Sequence, residues 1–174
     1  MYFNNKSSFD VYYRDEFQLL EEKYYNNYYH FIAGYNTDEA SNVSLAYRFG
    51  KNFDRNFQLV EFNTSFKILK KLSVNYELNY LKYTPDPEQE STILNVIGLD
   101  YYFTNDIWIR IFAQNNSSTD KYYFYNLFGW RFKPPFGAVY LIVNTDNYYD
   151  FDQRLGYHSE IIFVKLTYPI SLIK

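Results

Sequence analysis

The chain holds two histidines, His30 and His158, and no cysteine. They lie on distant segments with no HxxxH spacing. A zinc site needs three or four ligands, so each reads as an ordinary strand or loop histidine. Carboxylates gather in two places: Asp146, Asp150 and Asp152 in DNYYDFD, and Asp86, Glu88 and Glu90 in PDPEQE. Calcium takes six or more oxygens, and the spacing is not that of an EF-hand loop. Both clusters read as solvated acidic loops. No Ser-His-Asp arrangement, glycine-rich phosphate loop or P-loop is present in the sequence. The expectation is a chain that is not an enzyme and carries no cofactor and no metal.

A different set of charges has more structure to it. Arg48, Glu61, Lys67, Glu77, Asp100, Arg110, Arg131 and Lys165 fall at alternating positions of apolar segments. Mixed signs at such positions suggest ion pairs across a polar interior. A selectivity filter would more often be a ring of one sign. Tyr148, Tyr149, Phe151 and Tyr157, in the segment read as the last loop, could contact a ligand by stacking on sugar rings, or serve as girdle or adhesion residues.

The elements that position these residues follow from composition and period. Aromatic residues make up 24% of the 174 residues, with 22 Tyr and 17 Phe. Polar residues are interleaved with them one by one, which is a β pattern. The segment 72–80 is the clearest: Leu72, Val74, Tyr76, Leu78 and Tyr80 alternate with Ser73, Asn75, Glu77 and Asn79. Segments 43–49, 60–68, 107–114 and 161–168 alternate as well, and similar stretches lie near 9–19, 28–36, 92–103, 121–132 and 136–145. That predicts about ten strands of a length suited to a tilted membrane strand. Glu16 to Tyr25 fits a strand end and its loop better than a helical turn. No run approaches the roughly 20 apolar residues of a spanning helix. The first ten residues lack the form of a signal peptide, so an exported chain is expected to be mature or incomplete. The net charge of −3 gives no phosphate-binding surface, and no nucleic-acid partner is expected.

Two further patterns give the strands a setting. Short turns at 36–41, 67–71, 104–106 and 133–137 take turns with longer polar stretches at 20–27, 50–56, 84–91, 115–121 and 144–159. Such alternation puts short turns at one end of the sheet and long loops at the other, as in bacterial outer-membrane barrels. Aromatics gather at strand ends, with Tyr101, Phe103, Trp108, Trp130, Phe132 and Tyr168 forming a girdle near the short-turn end. The fold class expected is therefore an all-β, antiparallel up-and-down transmembrane β-barrel, or the C-terminal part of a larger one, in a single domain. Val60, Phe62, Phe66, Val74, Tyr76, Leu78, Ile109, Ile111, Ile162, Val164 and Leu166 would face lipid. A soluble sandwich or lipocalin-like barrel, binding a small apolar ligand or sugar, also alternates but hides its apolar face. Alternation alone does not say which face points where.

The segment ILNVIGLDYYFTNDIWIRIFAQNNSSTDKYYFYNLFGWRFKPPFGAVYLIVNTD and the ending IIFVKLTYPI resemble the C-terminal β-barrel of Bacteroidetes-type outer-membrane proteins of unknown function. The resemblance covers most of the chain from about Tyr28 and is strongest over 92–168. In that family a domain similar to family 9 carbohydrate-binding modules precedes the barrel, and the chain is expected to represent the barrel part alone, without that domain. The resemblance therefore implies a barrel, with roles in glycan handling or an envelope complex open to it, and no transferable sugar-binding or hydrolase activity.

Taken together, the expected location is the bacterial outer membrane, with the lipid bilayer as partner. The last strand, ending Val-Lys-Leu-Thr-Tyr, would be read by the barrel-insertion machinery. The stretch FGWRFKPPFGAVYLIVNTD reads as a spanning hairpin whose prolines sit where the ladder stops. If the sheet has open edges, a partner chain completing the barrel is expected, because unpaired backbone in lipid costs several kcal/mol per group. The role would be a passive channel, surface binding or anchoring.

Overall fold

The computed structural model describes residues 6–20, 22–37, 39–87, 91–134, 136–149 and 156–168. It is all-β. Ten antiparallel strands run in sequence order through one sheet: β1 (Ser7–Leu19), β2 (Lys23–Tyr35), β3 (Asn42–Asn52), β4 (Arg55–Ile68), β5 (Leu72–Thr84), β6 (Thr92–Tyr102), β7 (Ile107–Asn116), β8 (Lys121–Lys133), β9 (Gly137–Tyr149) and β10 (Gly156–Thr167). Every strand is joined to the next, so the sheet is up-and-down throughout. It does not close: β1 and β10 stand at the ends of the strand order, and no ladder joins them among the described residues. The expected all-β up-and-down architecture is present; closure is not.

The chain divides into two compact units. The first is built on β1 to β4 with most of β5; the second on β7 to β10 with most of β6. In the first unit the register sorts residues onto two faces, because directly opposed residues share a face. Val11, Phe31, Tyr47 and Val60 form one cross-strand row, and Phe9, Ala33, Leu45 and Phe62 the next. The neighbouring rows on the other face are Tyr12, His30, Arg48 and Leu59, then Asp10, Ile32, Ala46 and Glu61. The second unit repeats the arrangement. Leu141 opposes Phe128 and Val164, while Tyr140 opposes Gly129 and Lys165 on the other side.

The faces are exposed in an unusual order. The apolar one is open, with Val11 52% exposed, Leu45 50% and Val164 68%. Among the described residues only Ala138 and Ile142 are buried hydrophobics. A water-soluble domain of this size hides much more of its apolar surface, and a lone sheet face normally packs against a second layer.

The loops differ from expectation. The segment read as a loop at 20–27 is a three-residue turn, 20–22, and that at 50–56 is Phe53 and Asp54 alone. The connections at 36–41 and 85–91 are the longest described, and they fall at opposite ends of the sheet. Among the described residues, short turns and long loops therefore do not alternate. The reason lies across the strands. Glu16 pairs with Asn26 and Asp15 with Asn27 in the ladder, and the Phe17 and Tyr25 rings pack 5.3 Å apart. These pairs carry the strands past the point where apolar alternation stops. At the β3–β4 turn both Phe53 and Asp54 have positive φ, 49° and 61°, the geometry that matches a two-residue hairpin to strand twist. The Asn26 side chain accepts the Phe53 backbone N–H at 2.8 Å and so braces that turn.

Candidate functional site

In the first unit the polar face carries a compact charged cluster. His30 and Arg48 stand directly opposite each other on β2 and β3, and Glu61 reaches them from β4. Its carboxylate lies 3.7 Å from Arg48 Nη2 and 3.9 Å from His30 Nε2. The side chains are sheltered: 15% exposed for His30, 29% for Glu61 and 30% for Arg48. The Arg48 guanidinium also sits over the Tyr28 ring, 5.1 Å from its centroid, a favourable cation–π geometry. Tyr28 takes this position because its partner is Gly50. A Cβ there would lie 2.8 Å from Tyr28 Cβ. One carboxylate thus faces a guanidinium and an imidazole, with no nucleophile in the cluster.

The second unit has its own pairs. Arg110 Nε donates to Asp100 Oδ1 at 2.5 Å. Lys121 Nζ lies 3.1 Å from Asp146 Oδ2. Arg131 Nη1 is 3.6 Å from Asp106 Oδ1 and its guanidinium lies 5.8 Å from the Trp108 ring. Trp108 covers Gly129 so closely that a Cβ at 129 would be 2.4 Å from the ring. Tyr140, opposite Gly129, meets the indole edge-on at 6.0 Å.

Of the eight charges expected to face an interior, Arg48 and Glu61 are brought together, and so are Asp100 and Arg110. Arg131 pairs with the turn residue Asp106. Glu77 accepts a hydrogen bond from Asn79 Nδ2 at 2.6 Å on its own strand. Lys165 shares a face with Tyr140 but is exposed, and Lys67 is exposed near the end of β4.

The aromatic set divides. Trp130, Phe132 and Tyr168 form one cluster, with Trp130 and Phe132 at 5.9 Å and Phe132 and Tyr168 stacked at 6.2 Å. Lys133 Nζ lies 4.9 Å over the Tyr168 ring. Tyr101 and Phe103 meet edge-on at 4.9 Å. Trp108 does not belong with them. It shares the polar face with Arg110, because Ile107 and Ile109 take the apolar side of β7. Gly129, on the neighbouring strand β8, leaves the space that its ring occupies.

The expected loop contacts are relocated. Tyr148 and Tyr149 end β9, and Tyr157 pairs with Tyr148 in the ladder; their side chains, and all of Phe151, lie outside the described residues, as do Asp150, Asp152, Glu88 and Glu90. Asp146 stands within β9, paired with Lys121. Asp86 is a loop anchor: its carboxylate accepts the Ser91 N–H at 3.1 Å and the Ser91 hydroxyl, and lies 3.4 Å from Arg55. His158 contacts Asn147, its cross-strand partner. No group of three potential metal ligands occurs among the described residues.

Sequence reasoning missed Asn26, Gly50 and Gly129. Only a glycine opposite an aromatic would have flagged the last two, and that needs the register. Comparison with family models, with curated proteins and with solved structures finds no match.

Proposed function

We propose that the chain is an outer-membrane β-barrel protein, its apolar face set against lipid and its polar face lining the interior. The observation that carries this reading is the sidedness of the sheet. In the first unit the exposed side is aliphatic and aromatic, while the other side holds the sheltered Arg48, Glu61 and His30 side chains. A lipocalin-like barrel would need the reverse. Two other features support it. Strands of 10 to 14 residues meet or exceed the ~9–11 needed to cross a bilayer at a tilt. The Trp130, Phe132, Tyr168 and Lys133 cluster has the amphipathic character of a headgroup-level belt.

In lipid, both edges of the sheet need partner strands. Ten strands in up-and-down order is an even number, as bacterial single-chain barrels have. The interior role this supports is a filled, ion-paired barrel serving as a structural or anchoring element. Mixed-sign pairs such as Arg48–Glu61 and Arg110–Asp100 would neutralise each other rather than select an ion. The likeness of the 92–168 segment to Bacteroidetes-type barrels points the same way.

Expression behind a cleavable signal peptide in a diderm bacterium, followed by membrane fractionation, tests the reading. The chain should pellet with the outer membrane, require detergent for extraction, and migrate faster unboiled than boiled on a gel. Recovery in the soluble fraction without detergent would overturn it. In planar bilayers, a filled barrel predicts no steady single-channel conductance.

A further inference from the structure

We propose that a groove on the apolar face of the first unit holds the phosphate headgroup of an anionic diacyl lipid. The inference rests on the membrane reading above. The groove has a volume of about 680 Å3 and is lined by Asn27, Tyr29, Phe49, Lys51, Asn56 and Gln58 among others, within the usual ~300–1,000 Å3 of small-ligand sites.

Register explains how the groove is assembled. Asn27, Lys51 and Asn56 form one cross-strand row on β2, β3 and β4. Tyr29, Phe49 and Gln58 form the next row on the same face. The Tyr29 and Phe49 rings stack 5.7 Å apart, and Phe31 stacks on Phe49 at 6.1 Å. Going along the face, aromatic surface thus gives way within two residues to a cation flanked by amides.

That sequence of chemistry fits one kind of ligand. Acyl chains lie along Phe31, Tyr47 and Phe49. A phosphate then meets the Lys51 ammonium, with the Asn27, Asn56 and Gln58 amides as donors. No carboxylate faces Lys51 across either ladder, since both its partners are asparagines. The acid in that row, Asp15, lies beyond Asn27, two strands and about 10 Å away by strand spacing. Asp54 sits in the turn beyond. A lysine at the polar end of an apolar face, with only amides directly opposite it, is complementary to an anion.

The test is native mass spectrometry of the full chain in a neutral detergent. Dioleoylphosphatidylglycerol should be retained at one molecule per chain, and dioleoylglycerol, which lacks the phosphate, should not. Lys51→Gln should weaken the phosphatidylglycerol adduct roughly tenfold, as expected for a hydrogen bond to a charged group. Lys70→Gln, which removes the same charge from the β4–β5 turn, should leave it unchanged. Unboiled gel migration confirms that each variant is folded, and Asn56→Ala provides a second, milder probe that should weaken the same adduct. Equal weakening by Lys51→Gln and Lys70→Gln, or equal retention of dioleoylglycerol, would overturn the proposal. Displacement of the lipid by millimolar inorganic phosphate would reassign the site to free phosphate and overturn it as well. A chain that stays in solution without detergent sinks the membrane reading and this site together. A detergent-requiring, heat-modifiable chain without Lys51-dependent lipid sinks the site alone.

Discussion

Glu61 and Gly129 show what individual positions contribute. Glu61 is the only carboxylate in contact with both Arg48 and His30 among the described residues. Removing it strands a sheltered guanidinium. Glu61→Gln should cost about 1–3 kcal/mol, less than a fully buried pair because a third of each side chain meets solvent. Arg48→Met combined with Glu61→Leu should recover most of that loss, since two apolar groups leave no orphaned charge. Urea unfolding of the detergent-solubilised chain, read by loss of heat-modifiable migration, gives both values. Gly129→Ala places a methyl group 2.4 Å from the Trp108 ring. A cost of about 1–3 kcal/mol is expected from overpacking. Trp108→Leu in the same chain should relieve part of it, which a simple loss of backbone freedom would not do.

Strands and turns were legible in unequal measure. The alternation in 72–80 and 107–114 places β5 and β7, because period two survives even where neighbours differ in size. The faces of β3 and β4 follow as well, with Val60 beside Phe62 and Arg48 beside Ala46 as the register has them. Asn26 and Asn27 look like loop in the sequence because they are polar, yet both lie in β2. Their ladder partners Glu16 and Asp15 are distant in sequence, and a single segment carries no trace of them. Trp108 shows the same limit on the other side. Its position near a turn suggested a belt, but its place is decided by a glycine on β8 that only pairing brings beneath it. Turn chemistry is testable at this scale. Asp54 holds a positive φ of 61° that an L side chain adopts at a cost. Asp54→Gly should therefore stabilise the β3–β4 hairpin by about 0.5–1 kcal/mol, measured by the same urea titration.

For the molecule as a whole, the solvent on each face is the central question. In water, Leu45→Arg at a half-exposed position would change stability by less than about 0.5 kcal/mol. Facing the bilayer midplane, it should cost about 2–4 kcal/mol. Refolding the wild type and Leu45→Arg into phosphatidylcholine vesicles separates the two. The uncovered apolar face and the two free ends of the strand order were not readable from composition. Alternation defines two faces without saying which is covered, and an edge is defined by the strand that is not there.

The most direct measurement uses neighbouring residues on opposite faces. The chain has no native cysteine, so Leu45→Cys and Ala46→Cys can each carry one nitroxide spin label. In phosphatidylcholine vesicles, the label at 45 should collide more with oxygen, which concentrates in lipid, than with a water-soluble nickel chelate. At 46 that preference should be reversed. Labels that both prefer the nickel chelate, or a label at 45 that prefers the chelate while the label at 46 prefers oxygen, would contradict an apolar face turned to lipid.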